Sequence, residues 1–135
     1  MNFVESVESV FKKYVVWEGR ASRSEFWWFY LFYLGCSFLT SMLDLIWGTP
    51  VLNSIFVLGT FLPMLSVTIR RLHDTGHSGW WYWIALLPIV VYGYQGRSHK
   101  VFMPIFGFMY AIKLLFTESE EGENKYGSNP LEPVT

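Results

Sequence analysis

The sequence predicts an all-α integral membrane protein: a helical bundle of about four transmembrane helices, with a short amphipathic helix at its N-terminus. The first observation is composition, since apolar residues make up 52% of the 135 residues and charged residues only 16%. A soluble domain averages about a quarter charged residues, so this chain lacks the polar side chains to cover a water-facing surface. The second observation is clustering: apart from Asp44, the charges fall in short groups separated by long uncharged runs. The two longest of these runs have the length of membrane-spanning helices.

Length and charge also bound the function. The chain fits a single membrane domain, 1–135. Its net charge of −1 provides no basic field, so we expect no nucleic-acid partner. The single cysteine, Cys36, cannot form an internal disulfide, and no cofactor is implied. The expected partners are the lipid bilayer and either another membrane protein or a second copy of this chain.

The N-terminal segment, 1–21, carries the amphipathic helix, which we place at residues 3–15. One helical stripe is apolar and the opposite side is polar; the apolar residues are Phe3, Val7, Val10, Phe11 and Tyr14. This spacing is typical of a helix lying on a membrane surface. A helix packed against the protein's own loops would show the same pattern, and both interpretations stay open.

Two long spans follow. The first is expected near 24–45, because Ser22 and Glu25 have the spacing of a helix-capping box and the run from Phe26 to Leu43 is uncharged. The second is expected near 50–71, with Thr49 as the capping residue and Pro50 at the first helical position.

Two shorter apolar runs predict a third span near 79–95 and a fourth near 101–116. Helices of this length, at about 1.5 Å per residue, are shorter than the ~30 Å hydrocarbon core. The alternative to four spans is therefore two full spans followed by a re-entrant pair. The tail, 117–135, holds five glutamates with glycines and prolines, which predicts a solvated and largely irregular cytoplasmic strap.

The basic residues predict the orientation. With four spans, one side of the membrane carries eight of the ten: Lys12, Lys13, Arg20, Arg23, Arg70, Arg71, Lys113 and Lys125. The opposite side has only Arg97 and Lys100. The positive-inside rule then predicts a multi-pass protein of the bacterial inner membrane with both termini in the cytoplasm.

This topology brings three polar segments to the cytoplasmic face: Gly19–Glu25, Arg70–Gly79 and Asn124–Pro130. The tail segment is expected to fold back onto the other two, because Tyr126 is unusual in a purely solvated strap. The candidate functional or structural residues are Gly19, Arg20, Ser22, Arg23, Glu25, Arg70, Arg71, His73, Asp74, Gly76, Gly79, Trp80, Asn124, Tyr126 and Gly127.

Three interpretations of the central segment compete. His73 and His77, with Asp74 beside them, are residues that zinc prefers, but Gly76 should break the helix that would align them. Asp74-Thr75-Gly76 is the tripeptide of aspartic proteases, which need a second carboxylate, and the chain has one such tripeptide. The third interpretation is structural: Arg70 or Arg71 pairs with Asp74 or Glu25 at the membrane boundary. We favour the structural one.

The same motifs resemble a known family. Gly19–Trp28, then Arg70–Gly76 with Ser78–Trp81, then Asn124–Gly127 with Pro130 resemble the domain of unknown function 805 family, the YhaH/YhaI-type bacterial inner membrane proteins. The resemblance covers nearly the whole chain and implies an inner membrane location. It implies no activity. The family often has arginine where His77 stands, which weighs against a metal site.

We therefore expect a non-enzymatic membrane protein whose cytoplasmic motif cluster is a structural and interaction surface. The alternative is a small-molecule or lipid-handling protein, either a transporter subunit or an enzyme at the headgroup boundary. A polar cavity between spans would favour this alternative, and a tightly packed bundle would favour the first.

Overall fold

The computed structural model describes residues 1–95 and 102–132, and within these ranges the chain is helical with no strand. Five helices follow one another: α1 (Phe3–Lys12), α2 (Arg23–Trp47), α3 (Val51–Asp74), α4 (Trp80–Gln95) and α5 (Phe102–Phe116). The segment with Arg97 and Lys100, which is predicted to face the opposite side of the membrane, lies outside the described residues, as do the last three residues of the tail. The predicted all-helical fold is confirmed.

Among the described residues, two helices are long and apolar enough to cross a membrane. They are α2, with 25 residues, and α3, with 24. Both begin or end within a few residues of the predicted spans. Helix α2 begins at Arg23, directly after the predicted capping residue Ser22, and α3 continues to Asp74 instead of ending near residue 71. Helices α4 and α5 have 16 and 15 residues and coincide closely with the two shorter predicted runs.

The chain divides into two compact units. The first comprises Met1–Trp17 and Ser24–Val67, and the second comprises Glu18–Arg23 with the described residues from Thr68 onward. In the first unit, α1 packs against α2 through edge-on aromatic contacts, such as Phe11 with Phe29 at 5.6 Å between ring centroids. One face of the predicted amphipathic helix is therefore packed on α2.

The turn between α2 and α3 is closed by an unpredicted cap. Asp44, near the end of α2, accepts hydrogen bonds from the backbone amides of Leu52 at 2.9 Å and Asn53 at 2.8 Å. These amides lie in the first turn of α3, where intrahelical acceptors are lacking. The prediction that Thr49 caps and Pro50 opens this helix was wrong, since α3 begins at Val51 and a carboxylate from the preceding helix provides the acceptors.

Helix α3 changes character along its length. Its first half exposes large apolar side chains: Val51, Ile55, Leu58, Phe61 and Leu62. From Pro63 to Asp74 no residue of the helix is exposed. Nine of these twelve residues are buried and three are half-buried, so the end of α3, which carries the central polar motif, is largely covered by protein.

Candidate functional site

The candidate site lies in the second unit and is centred on Asp74. Its Oδ1 accepts a hydrogen bond from Nε of Arg20 at 2.9 Å. Its Oδ2 accepts from Arg71 and from Oγ of Ser119 at 2.5 Å. The side chains of Arg20, Arg71 and Asp74 are at most 1% exposed. We call these three residues the arginine–aspartate cluster.

Arg20 joins the cluster to the tail. Its guanidinium donates to the backbone carbonyls of Gly122 at 2.7 Å and Gly127 at 3.3 Å, and also to that of Glu120. These acceptors belong to the loop after α5, in which Asn124 and Gly127 also exchange backbone hydrogen bonds. Because buried carbonyl groups need donors, Arg20 satisfies the backbone of the tail as well as the carboxylate.

Arg71 performs the same task at the end of α5. It donates to the carbonyls of Leu115 at 3.3 Å and of Thr117, and to that of Ala21 at 3.3 Å. The last carbonyls of a helix have no intrahelical donor, and a positive charge near them is favourable. Arg71 therefore fixes the end of α5 and the segment before α2 to the end of α3.

Backbone hydrogen bonds reinforce these side-chain contacts. The amide of Glu120 donates to the carbonyl of Asp74, and the amide of Ala21 donates to that of Arg70, both at 3.0 Å. Arg70 itself is 1% exposed. The three sequence motifs are thus joined by main-chain as well as side-chain interactions.

The tail also stacks on α3. The rings of His73 and Tyr126 lie parallel, with centroids 3.9 Å apart and an interplanar angle of 4°. Nδ2 of Asn124 donates to the carbonyl of His73 at 3.0 Å, and Nδ1 of His73 lies 3.2 Å from the carbonyl of Gly19. Asn124 and Gly127 form an isolated bridge, with Gly127 at φ +129°. The prediction that Asn124–Pro130 folds back onto the other two motifs is confirmed, and this part of the tail is not a solvated strap.

The turn after α3 needs its glycines. Gly76 has φ +74°, and a Cβ there would lie 2.8 Å from Oε2 of Glu120. A Cβ on Gly79 would lie 2.8 Å from Cγ2 of Ile69. The predicted helix break at Gly76 is confirmed, because α3 ends at Asp74. Beyond this turn, Nε2 of His77 lies 3.2 Å from Oη of Tyr110 on α5.

Most predicted site residues lie in this assembly, but three do not share its core. Arg23 forms a 3.3 Å ion pair with Glu118, and both side chains are largely exposed. Trp80 is 73% exposed. Glu25 belongs to the first unit, where it accepts from Oγ of Ser9 at 3.0 Å.

Sequence reasoning found the motifs but missed two members of the site. The hydroxyl of Ser119 donates to the carboxylate of Asp74. The backbone amide of Glu120 donates to the carbonyl of Asp74, and its carbonyl accepts from Arg20. The sequence around these two residues gives no sign of a buried contact, since its polar, glutamate-rich composition predicts exposure to water. The predicted pairing of Asp74 with an arginine of its own segment is confirmed for Arg71, whereas the pairing with Arg20 was not predicted.

The arrangement offers little for metal or acid–base chemistry. Within residues 1–95 and 102–132 there is no group of three or more His, Cys, Asp or Glu side chains placed to hold a metal ion. His73 and His77 face different partners, the first Tyr126 and the second Tyr110. Asp74 is fully buried with hydrogen bonds to both oxygens, so its carboxylate is closed to a substrate.

Two long apolar helices and a buried polar cluster define a helical membrane protein with a folded polar end. Residues 14–128 match the family described as "Protein of unknown function (DUF805)". The chain belongs to this family.

Named relatives agree with this class. The chain is 38% identical to the inner membrane protein YhaI of Escherichia coli strain K12, over 90% of this chain and 92% of the relative. It is 34% identical to the inner membrane protein YhaH of the same strain, over 92% and 95%. It is 33% identical to the uncharacterized protein YiiR, over 83% and 84%. No solved structure matches the chain.

Proposed function

We propose that this chain is a non-enzymatic, multi-pass inner membrane protein whose arginine–aspartate cluster holds together a cytoplasmic cap. The cap consists of the segment before α2, the end of α3 with its turn, and the tail up to residue 132. Its role is to present a rigid folded surface to a membrane-protein partner or a second copy of the chain. The helices lie in the bilayer, and the partner binds to the cap.

One observation carries this proposal: the charged groups of the arginine–aspartate cluster form their hydrogen bonds inside the protein. The carboxylate of Asp74 accepts hydrogen bonds from two guanidinium groups and a hydroxyl. The other N–H groups of both guanidiniums donate to backbone carbonyls. Removing one partner of a buried ion pair typically costs about 3–5 kcal/mol. A catalytic or transport site would instead leave a polar group facing a cavity.

The contacts of the second unit also support the orientation. The segment before α2, the turn after α3 and the tail after α5 touch one another, so they share one side of the membrane. Both the four-span arrangement and the re-entrant alternative satisfy this condition. The positive-inside rule assigns that side to the cytoplasm, since Arg20, Arg23, Arg70, Arg71 and Lys125 lie there.

Among the described residues, a surface groove is the feature that bears on the lipid-handling alternative. A groove of about 390 Å³ on α2 is lined by Trp27, Trp28, Tyr30, Leu31 and Leu34. These side chains suit an acyl chain, which any bilayer supplies. They provide no charged group to bind or transform a polar ligand, so the groove does not favour an enzyme or a transporter.

Limited trypsin digestion of the detergent-solubilised protein tests the proposal. Cleavage after Lys125 requires the tail to leave its site. In Arg20→Gln the guanidinium that binds three tail carbonyls is lost, and we expect cleavage at Lys125 to become at least about ten-fold faster, which corresponds to about 1.4 kcal/mol of easier opening. Folded yield, measured by size-exclusion chromatography, accompanies each digestion.

Arg23→Gln is the matched control. It removes an arginine from the same segment, but one whose ion pair with Glu118 is exposed and contributes little. Cleavage at Lys125 should stay near the parent rate. Equal acceleration in both variants, or none in Arg20→Gln, would contradict the proposed cap.

A further inference from the structure

The exposed side chains of α1 fall into two sectors. Ser6 and Val10 are fully buried and form the packed face. At about 100° per residue, one flank of this face carries Phe3, Val4 and Phe11, which are 39–68% exposed. The opposite flank carries charged side chains: Glu5, Glu8 and Lys12. An exposed apolar flank beside an exposed charged flank is typical of a helix at a membrane–water interface.

The charged flank is internally paired. Nζ of Lys12 lies 2.7 Å from Oε1 of Glu8, one helical turn away. The side-chain hydrogen bond from Lys12 and the charge of Lys12 lower the pKa of Glu8, which favours the charged form of that carboxyl. Ionised side chains hold the flank in water.

The apolar flank continues into the lipid-facing surface of α2. The ring of Phe3 contacts Trp28 at 5.9 Å between centroids, and that of Phe11 contacts Phe32 at 6.1 Å. Exposed large apolar residues on α2 run from Trp28 to Trp47, which is about 30 Å of helix, the thickness of the hydrocarbon core. Helix α1 therefore lies at the level where this surface begins.

Helix α3 places the segment after α1 at the same boundary. Its exposed large apolar residues within the first unit stop at Leu62. Oγ of Ser66, one turn further, donates to the carbonyls of Lys13 at 3.1 Å and Val16 at 2.5 Å. The residues that follow in the chain expose apolar side chains: Val15, Val16 and Trp17.

From this geometry we infer that residues 3–17 form an in-plane membrane anchor whose partner is the acyl chains of the adjoining leaflet. Val4, Phe11 and the apolar side chains of 15–17 enter the boundary between headgroups and acyl chains. Glu5, Glu8 and Lys12 face water. The anchor fixes the depth of the first unit in the bilayer, independently of the cap in the second unit.

Spin-label accessibility on the full chain in phosphatidylethanolamine–phosphatidylglycerol vesicles tests the inference. The background is Cys36→Ser, which removes the only cysteine. Labels are placed at Val4→Cys and Phe11→Cys on the apolar flank, and at Glu8→Cys and Lys12→Cys on the charged flank. Leu39→Cys on α2 serves as the lipid-exposed reference, and Glu121→Cys in the tail serves as the aqueous reference.

We expect the ratio of oxygen to nickel-chelate collision rates at Val4 and Phe11 to approach that at Leu39. It should exceed the ratio at Glu8 and Lys12 by about five-fold or more, because oxygen concentrates in the acyl layer and the chelate stays in water. Equal, water-like ratios on both flanks would overturn the inference. Low collision rates with both reagents at Val4 and Phe11 would also overturn it, since they would show that protein, such as a second copy, covers the flank.

Discussion

Asp74 illustrates how one residue can organise a polar site. Its carboxylate collects donors from residues 54 positions earlier and 45 positions later in the chain, Arg20 and Ser119. A charge buried without partners would be strongly unfavourable, so the carboxylate requires these segments to be in place. The two buried arginines in turn require hydrogen-bond acceptors, which backbone carbonyls of the tail and of α5 provide.

Gly76 allows a prediction at the same scale. Gly76→Ala should destabilise the protein more than Gly122→Ala, although both glycines have positive φ, +74° and +68°. A left-handed conformation costs an alanine about 1–2 kcal/mol at either position. Only at position 76 would the new Cβ also lie 2.8 Å from the Glu120 carboxylate, which Asn124 holds through a 2.7 Å hydrogen bond. Thermal unfolding in detergent measures both losses.

Removing the obstacle separates the two contributions. In an Glu120→Ala background, Gly76→Ala should cost the same as Gly122→Ala. If the two glycine variants are equally destabilised with Glu120 present, the contact with its side chain does not matter.

At the scale of elements, α3 combines two helices of different kinds. Its first half exposes apolar side chains, as a lipid-facing helix does, whereas its second half has no exposed residue. This half carries Arg71 and Asp74, whose polar groups the surrounding protein satisfies. Two residues of the arginine–aspartate cluster therefore lie at the end of a helix that is long and apolar enough to cross a membrane.

The start of α3 provides the prediction at this scale. Asp44→Ala should lower stability by about 1 kcal/mol, and by up to 2, as loss of a helix N-cap does. The reason is that Asp44 accepts from the amides of Leu52 and Asn53. Thr49→Ala, which removes the cap that sequence alone suggests, should change stability little. Thermal unfolding of both variants in detergent checks this. A larger loss of stability in Thr49→Ala than in Asp44→Ala would show that Thr49 is the capping residue.

At the scale of the whole molecule, the question is how many times the chain crosses the bilayer. Helices α2 and α3 are long enough to cross, whereas α4 and α5 extend about 24 and 22 Å at ~1.5 Å per residue. Both the four-span and the re-entrant arrangement place the two termini on one side. The difference lies in the segment that joins α4 to α5.

Sidedness labelling separates the two arrangements. In Cys36→Ser/Ser98→Cys, a membrane-impermeant maleimide added to intact cells should react if α4 and α5 both cross, which is the outcome we expect from Arg97 and Lys100 being the only basic residues assigned to that side. Cys36→Ser/Thr75→Cys should stay unlabelled until the membrane is permeabilised. Protection of position 98 would establish the re-entrant pair, and labelling of position 75 in intact cells would contradict the orientation itself.

The sequence by itself determined the class of protein, the two long helices and the three motifs that meet. These features are local: an uncharged run of 18 or more residues predicts a span wherever it occurs, and glycine at position 76 ends a helix for conformational reasons. The pairing of Arg71 with Asp74 could also be predicted from the sequence, because residues three apart are neighbours on a helix.

Only the tertiary structure decided which distant groups satisfy one another. Several arginines compete for Asp74 in the sequence, and nothing local selects Arg20. The acceptors of that arginine are backbone carbonyls of Glu120, Gly122 and Gly127, which every residue possesses and which therefore leave no trace in a sequence. The same holds for Asp44, whose acceptor role depends on where the next helix starts. Long-range polar partners are set by the geometry of the folded backbone, and residue identity alone does not encode that geometry.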